Sequence, residues 1–172
     1  TKAGPNIFAY LKGAAKSSLK VLQVLKNLDA NVLVYATGFA PKLIKKFQTE
    51  RLVFSREMLN LKKVCQKCDL LICHAGHATV ARALLEGIPL VLLPTQVEQF
   101  ITSANVVRFG AGTLINHHNP QADYAGAILH ALNDKKIRQK VKEFADRYSD
   151  FDQQKQISDI VSRIEELITP VA

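Results

Sequence analysis

The 172-residue chain has the length of one domain with a proper core, and its 48% hydrophobic content excludes a disordered polypeptide. Its formal net charge is +8, from 23 Lys and Arg against 15 Asp and Glu. That favours acidic partners: nucleotide phosphates, an anionic membrane surface met peripherally, or nucleic acid. Residues 7–11 read as a strand after Gly4-Pro5, and residues 16–28 carry Leu19, Leu22, Leu25 and Leu28 at helical spacing. Residues 32–36 are a β-branched and aromatic strand, 41–47 a helix with Pro41 in its first turn, and 52–54 a short strand. Residues 59–65 read as helix, 70–73 as a buried strand, and 76–85 as a helix ended by Gly87 and Pro89. A strand follows at 90–93, a helix at 99–109 closed by Gly110, and a strand at 113–115. Helices at 123–132, 135–148 and 154–168 complete the chain, the last stopped by Pro170.

This alternation predicts an α/β fold: a Rossmann-like parallel sheet with helices on both faces, in one domain over residues 1–172. Such sheets bind ligands at the carboxyl ends of their strands, so the strand-to-helix turns are the places to search. The apolar runs are strand-sized, too short to span a bilayer, and no secretory signal is visible. The first residue is Thr1 rather than Met, as expected of an excised domain.

Cys65, Cys68 and Cys73 form an odd, clustered set, which reads as reduced thiols in a cytoplasmic protein rather than a disulfide framework. Cys65-Gln-Lys-Cys68 has no second pair to complete a zinc site. It also falls at the end of a helix, where a redox pair would sit at the start. The lysines are scattered, without aromatic residues interleaved as stacking platforms, so a solvated basic surface is read ahead of nucleic-acid binding.

The turn Cys73-His74-Ala75-Gly76-His77-Ala78-Thr79 leads from a buried strand into a helix through small residues. Small side chains let a ligand approach the backbone, and free N–H groups at a helix start attract anions. The Thr79 hydroxyl and the His74 and His77 rings add donors, so the turn suits a diphosphate without a metal. His74 and His77 as a metal pair would need further ligands, and His117 and His118 are far off in sequence. No G-x-x-x-x-G-K-[ST] loop is present, and Gly110-Ala111-Gly112 precedes a strand, which excludes a dinucleotide fingerprint there.

Asp69 through His74, Gly76 and Thr79, then Ala83-Leu84 with Gly87-Ile88-Pro89, then Pro94-Thr95-Gln96-Val97-Glu98-Gln99, resemble the signature of the UDP-glycosyltransferase-like superfamily. That signature runs H-x-G-x-G-T, E-A-L-x-x-G-x-P and P-x-x-x-[DE]-Q, and Val106 through Gly112 resembles the segment after it. The likeness covers essentially the whole chain as the C-terminal half of a GT-B fold, two facing Rossmann-like domains. It implies an inverting, metal-independent glycosyltransferase that needs no cofactor and takes a UDP- or dTDP-sugar as substrate. His74, Gly76, His77, Ala78 and Thr79 would hold the diphosphate, Glu98 and Gln99 the sugar hydroxyls, and Met58 and Leu59 the base. The catalytic base and the acceptor pocket would lie in an N-terminal domain or subunit, so the isolated chain is expected to bind nucleotide without turnover.

Two positions depart from the family pattern. Arg82 stands where a Glu commonly bonds the ribose, and a cation cannot accept those bonds, which leaves uridine and thymidine nucleotides both open; Glu86 lies one turn further on. Lys12 precedes Gly13 where the family usually has Gly directly after the first strand; it points either to solvent or towards the diphosphate or a carboxylated sugar. Three alternatives remain: a stand-alone donor-binding subunit of a two-part transferase, a basic nucleic-acid-binding module, and a GT-B epimerase of nucleotide sugars.

Overall fold

The computed structural model describes residues 3–13 and 15–168. The alternating runs become β1 (Asn6–Lys12), α1 (Lys16–Asn27), β2 (Asn31–Thr37), α2 (Pro41–Phe47), β3 (Leu52–Ser55), α3 (Leu61–Cys65) and β4 (Leu70–Cys73). There follow α4 (His77–Leu85), β5 (Leu90–Leu92), α5 (Val97–Phe109), β6 (Gly112–Leu114), α6 (Tyr124–Asn133), α7 (Lys135–Arg147) and α8 (Gln153–Ile168). The strands form one sheet in the order β3-β2-β1-β4-β5-β6, with every pair parallel. The chain winds outward from β1 to β3, then returns to place β4 against β1, with Phe8 opposite Leu71. In sheets wound this way ligands bind at the point of reversal, here the carboxyl ends of β1 and β4.

Side-chain alternation along the strands sorts the core into two layers. Ile7, Ala9 and Leu11 of β1 face Val21, Leu22 and Leu25 of α1, Phe47 of α2 and Ile128 of α6. Phe8 points the other way and joins Leu71, Cys73, Leu90 and Leu92 under Val80 and Ala83 of α4, Val106 of α5 and Val141 of α7. β4 and β5 are buried along their whole length, as strands sandwiched between helix layers must be. Each fully buried Leu or Ile contributes about 1.5–3 kcal/mol relative to leaving it exposed.

Local hydrogen bonds set several boundaries away from those expected. The Asn60 side chain accepts the Lys63 N–H, so α3 begins at Leu61 and Leu59 stays in the preceding loop. α5 begins at Val97, two residues early, because Gln99 folds back and accepts the Thr95 N–H at 2.9 Å. α7 is capped by Asp134, which accepts from Lys136 and Ile137. The αL residues Gly87 and Gly110 end α4 and α5. None of the residues of α8 is buried, and Ile157, Ile160, Val161 and Ile164 are all exposed. Its expected stop, Pro170, lies outside the described residues, as do Thr1, Lys2 and Ala14. Among the described residues no helix is long and apolar enough to cross a membrane.

Candidate functional site

Three turns meet at the carboxyl rim: the one after β1, the one after β4 and the one after β5. His74, the first residue after β4, ties them together. One ring nitrogen, Nε2, accepts the Lys12 N–H at 3.2 Å, and Nδ1 lies 2.9 Å from the Leu93 carbonyl. A carbonyl can only accept, so this network assigns the proton to Nδ1 and makes the ring neutral. His74 is buried, and burial is the main cause lowering its pKa. The Leu93 bond opposes that, while Lys12 and His117 nearby add to it. With both nitrogens engaged by backbone, the expectation that this side chain donates to a diphosphate is corrected: His74 positions the ends of β1, β4 and β5.

The turn itself is shaped for close approach. Ala75 is buried at φ +60°, a left-handed conformation costing an L-residue about 1–2 kcal/mol. Cys73, whose thiol accepts a bond from the Ala75 backbone, helps hold it. Gly76 then caps α4 with extended backbone and no side-chain cap, and no acidic residue occupies the first turn. A Cβ on Gly76 would meet nothing within 4 Å, so the mouth above it is open. The Thr79 and Val80 N–H groups bond back to the Gly76 carbonyl, which leaves the amides of Gly76, His77 and Ala78 as the uncommitted donors of the helix start. His77 and Ala78 are exposed, and Thr79 is half-buried.

The other expected residues differ in place and in engagement. Lys12 ends β1 and is exposed, and it makes none of the ion pairs found among the described residues. Gly13 is required by space: a Cβ there would lie 2.2 Å from the Gly38 carbonyl oxygen. Glu98 is exposed in the first turn of α5, while Gln99 is buried. The Gln99 Oε1 accepts both the Thr95 N–H and, at 3.1 Å, the Thr95 hydroxyl, which leaves its amide nitrogen as the donor. Met58 is 88% exposed in the turn after β3, so core packing does not hold it, whereas Leu59 packs on the second core layer. The Arg82 guanidinium bonds Glu86 at 3.3 Å and Gln153 at 3.4 Å.

Cys65 and Cys68 are free thiols, hydrogen-bonded to each other at the end of α3. That bond pulls Cys65 down and pushes Cys68 up. Burial pushes Cys73 up to about 12, so it stays a thiol under the sheet. Among the described residues no three His, Cys, Asp or Glu side chains converge as a metal site. Residues that motif spacing did not single out also reach the rim: Lys16 and Ser17 in the first turn of α1, Lys20, His117 and Tyr124. No local signal marks them, since they come from two distant segments joined only by sheet order.

A six-stranded parallel sheet wound in this order is the architecture of the C-terminal half of GT-B glycosyltransferases. Residues 19–167 match the family model of the erythromycin biosynthesis protein CIII-like, C-terminal domain, and the chain belongs to that family. It is similar to a PGL/p-HBAD biosynthesis glycosyltransferase of Mycobacterium tuberculosis (strain ATCC 25177 / H37Ra), with 25% identity over 147 residues, 84% of this chain and 33% of that protein. Among solved structures, the glycotransferase of kitacinnamycin superposes with a TM-score of 0.73 at 14% identity, covering 93% of this chain and 43% of the other. The Streptomyces sp. SF2575 glycosyltransferase SsfS6, complexed with thymidine diphosphate, gives 0.71 at 20% identity over 95% of this chain and 42% of its own. The chain spans about a third of the length of the curated relative and under half of these structures.

Proposed function

We propose that this chain is the donor-binding half of an inverting glycosyltransferase and holds a nucleoside-diphosphate sugar at the β1–β4 crevice. The observation that carries the reading is the start of α4: uncommitted amides, no carboxylate, and open space above Gly76 at the topological reversal. Backbone N–H groups of Gly76, His77 and Ala78, with the Thr79 hydroxyl and the exposed His77 ring, hold the diphosphate. Glu98 and the Gln99 amide bond the sugar hydroxyls, and exposed Met58 with Leu59 provides a soft apolar contact for the base.

In the reaction, an acceptor hydroxyl attacks the anomeric carbon from the face opposite the diphosphate, which leaves with the bonding electron pair. Negative charge grows on the leaving oxygen as that bond breaks, and donors already fixed at the helix start stabilise it most at that moment. A helix terminus supplies this stabilisation without a metal ion. His74 acts one step back, holding the rim so that these donors stay aimed. The acceptor and its base belong to an N-terminal half, a reading that the greater length of the glycosyltransferase relatives supports.

Calorimetry of the chain against UDP, dTDP and GDP tests this. Binding of at least one at millimolar affinity or tighter is expected, weakened by Thr79→Ala, with no sugar transfer by the chain alone. Absence of binding to all three would falsify the reading.

A further inference from the structure

A cavity opens on the carboxyl rim, with a volume near 360 Å³. It is lined by Lys16, Ser17 and Lys20 of α1, Thr95 after β5, His117 after β6 and Tyr124 of α6. One of these presents an enclosed polar atom without a partner, the Nδ1 of His117. Ser17 is 4% exposed, and its hydroxyl is committed to no hydrogen bond among the described residues. Native proteins rarely leave an enclosed polar atom unsatisfied, so His117 points to a ligand that the protein alone does not supply.

The chemistry of the lining is one-sided. Lys16 and Lys20 bring ammonium groups that enter none of the ion pairs among the described residues, and the Lys20 Nζ lies 5.2 Å from the centre of the Tyr124 ring. Burial pushes the Tyr124 phenol up, so it keeps its proton and donates. α1 starts here with no side-chain cap and no acidic residue in its first turn. No carboxylate lines the cavity. Donors on all sides, with no acceptor charge, define an anion site.

We propose that this cavity receives a carboxylate carried on the transferred sugar, which makes the donor a nucleoside diphosphate of an acidic sugar. The proposal rests on the nucleotide-sugar reading above and sharpens it. Its location argues for the sugar: Thr95, which lines the cavity, donates its hydroxyl to Gln99, the residue assigned to the sugar, while the diphosphate has its own donors at α4. Lys16, Ser17 and His117 are specificity-determining residues in this account, and Lys20 adds to the field.

The test compares UDP, UDP-glucose and UDP-glucuronate by calorimetry on the full chain, and follows the Lys16, Ser17 and His117 amides by NMR with free glucuronate, glucose and inorganic phosphate. UDP-glucuronate is expected to bind roughly tenfold tighter than UDP-glucose, as a charge-assisted pair of contacts provides. That ratio should fall towards one in Ser17→Ala and His117→Asn, and partway in Lys20→Gln, an exposed position safe for folding. Equal affinity for the two sugars in a chain that binds UDP overturns the proposal and leaves the nucleotide reading standing. If UDP does not bind, the amide shifts decide: movement with glucuronate but not glucose keeps the carboxylate site, and no movement ends it; the nucleotide reading itself fails only if dTDP and GDP do not bind either. Tighter binding of inorganic phosphate than of glucuronate assigns the cavity to a phosphate group and also overturns the proposal.

Discussion

Gly76 separates binding from folding at a single residue. Its φ of −63° suits any side chain, and a methyl group there would touch no protein atom within 4 Å. Gly76→Ala is therefore expected to cost under about 1 kcal/mol of stability as a poorer cap, yet to weaken nucleotide diphosphate binding roughly tenfold by filling the mouth. Thermal melts and calorimetry on the same variant check both halves. His74 makes a prediction about pH. Its folded pKa lies below the ordinary 6.5, so its protonation is penalised in the fold. The stability it contributes is complete above 6.5 and is lost as pH falls from there through the depressed folded value. A melting temperature that drops on acidification in the native chain, and drops less in His74→Gln, is the expected result. Equal slopes would remove the neutral ring from the account.

At the level of elements, α4 joins two demands of opposite sign. A carboxylate in the first turn of a helix stabilises it through the macrodipole, and α4 has none. Ala78 is exposed in that turn, so Ala78→Asp should raise the melting temperature slightly while repelling a diphosphate. Opposite movement of stability and affinity would tie the empty helix start to binding; parallel movement would count against it. The short α3 shows a different compromise. Its five residues leave the second face of β2 and β3 thinly covered, with Leu33 and Tyr35 only partly buried and Val53 exposed.

For the whole molecule, α8 is the element that does not belong to the packed sheet. Its apolar residues recur at helical spacing, Ile157, Ile160, Val161 and Ile164, and all are exposed. The double substitution Ile160→Lys and Ile164→Lys is therefore expected to leave the melting temperature of this chain unchanged. A loss of several degrees would show that the stripe packs on the domain after all. The +8 charge acts at this scale too: it raises the local concentration of an anionic donor, so nucleotide affinity should fall with added salt, read as a rising dissociation constant.

The order of strands and helices was legible in the chain because apolar spacing and turn residues are local properties. Runs such as Leu70–Cys73, and stops such as Gly87 and Gly110, declare themselves within a few positions. The Gly76–Thr79 turn was legible for the same reason, since its chemistry lies in consecutive residues. The sequence also carried the family, through motifs placed in order. Tertiary structure alone decided what His74 does, because its two hydrogen-bond partners stand 62 and 19 residues away and only the β1–β4–β5 adjacency brings them together. It alone turned Arg82 towards Gln153, 71 residues on. It likewise joined Ser17, Thr95, His117 and Tyr124 around one cavity. Spacing along a chain fixes which face of an element a residue occupies, but the partners across that face follow from how the elements pack.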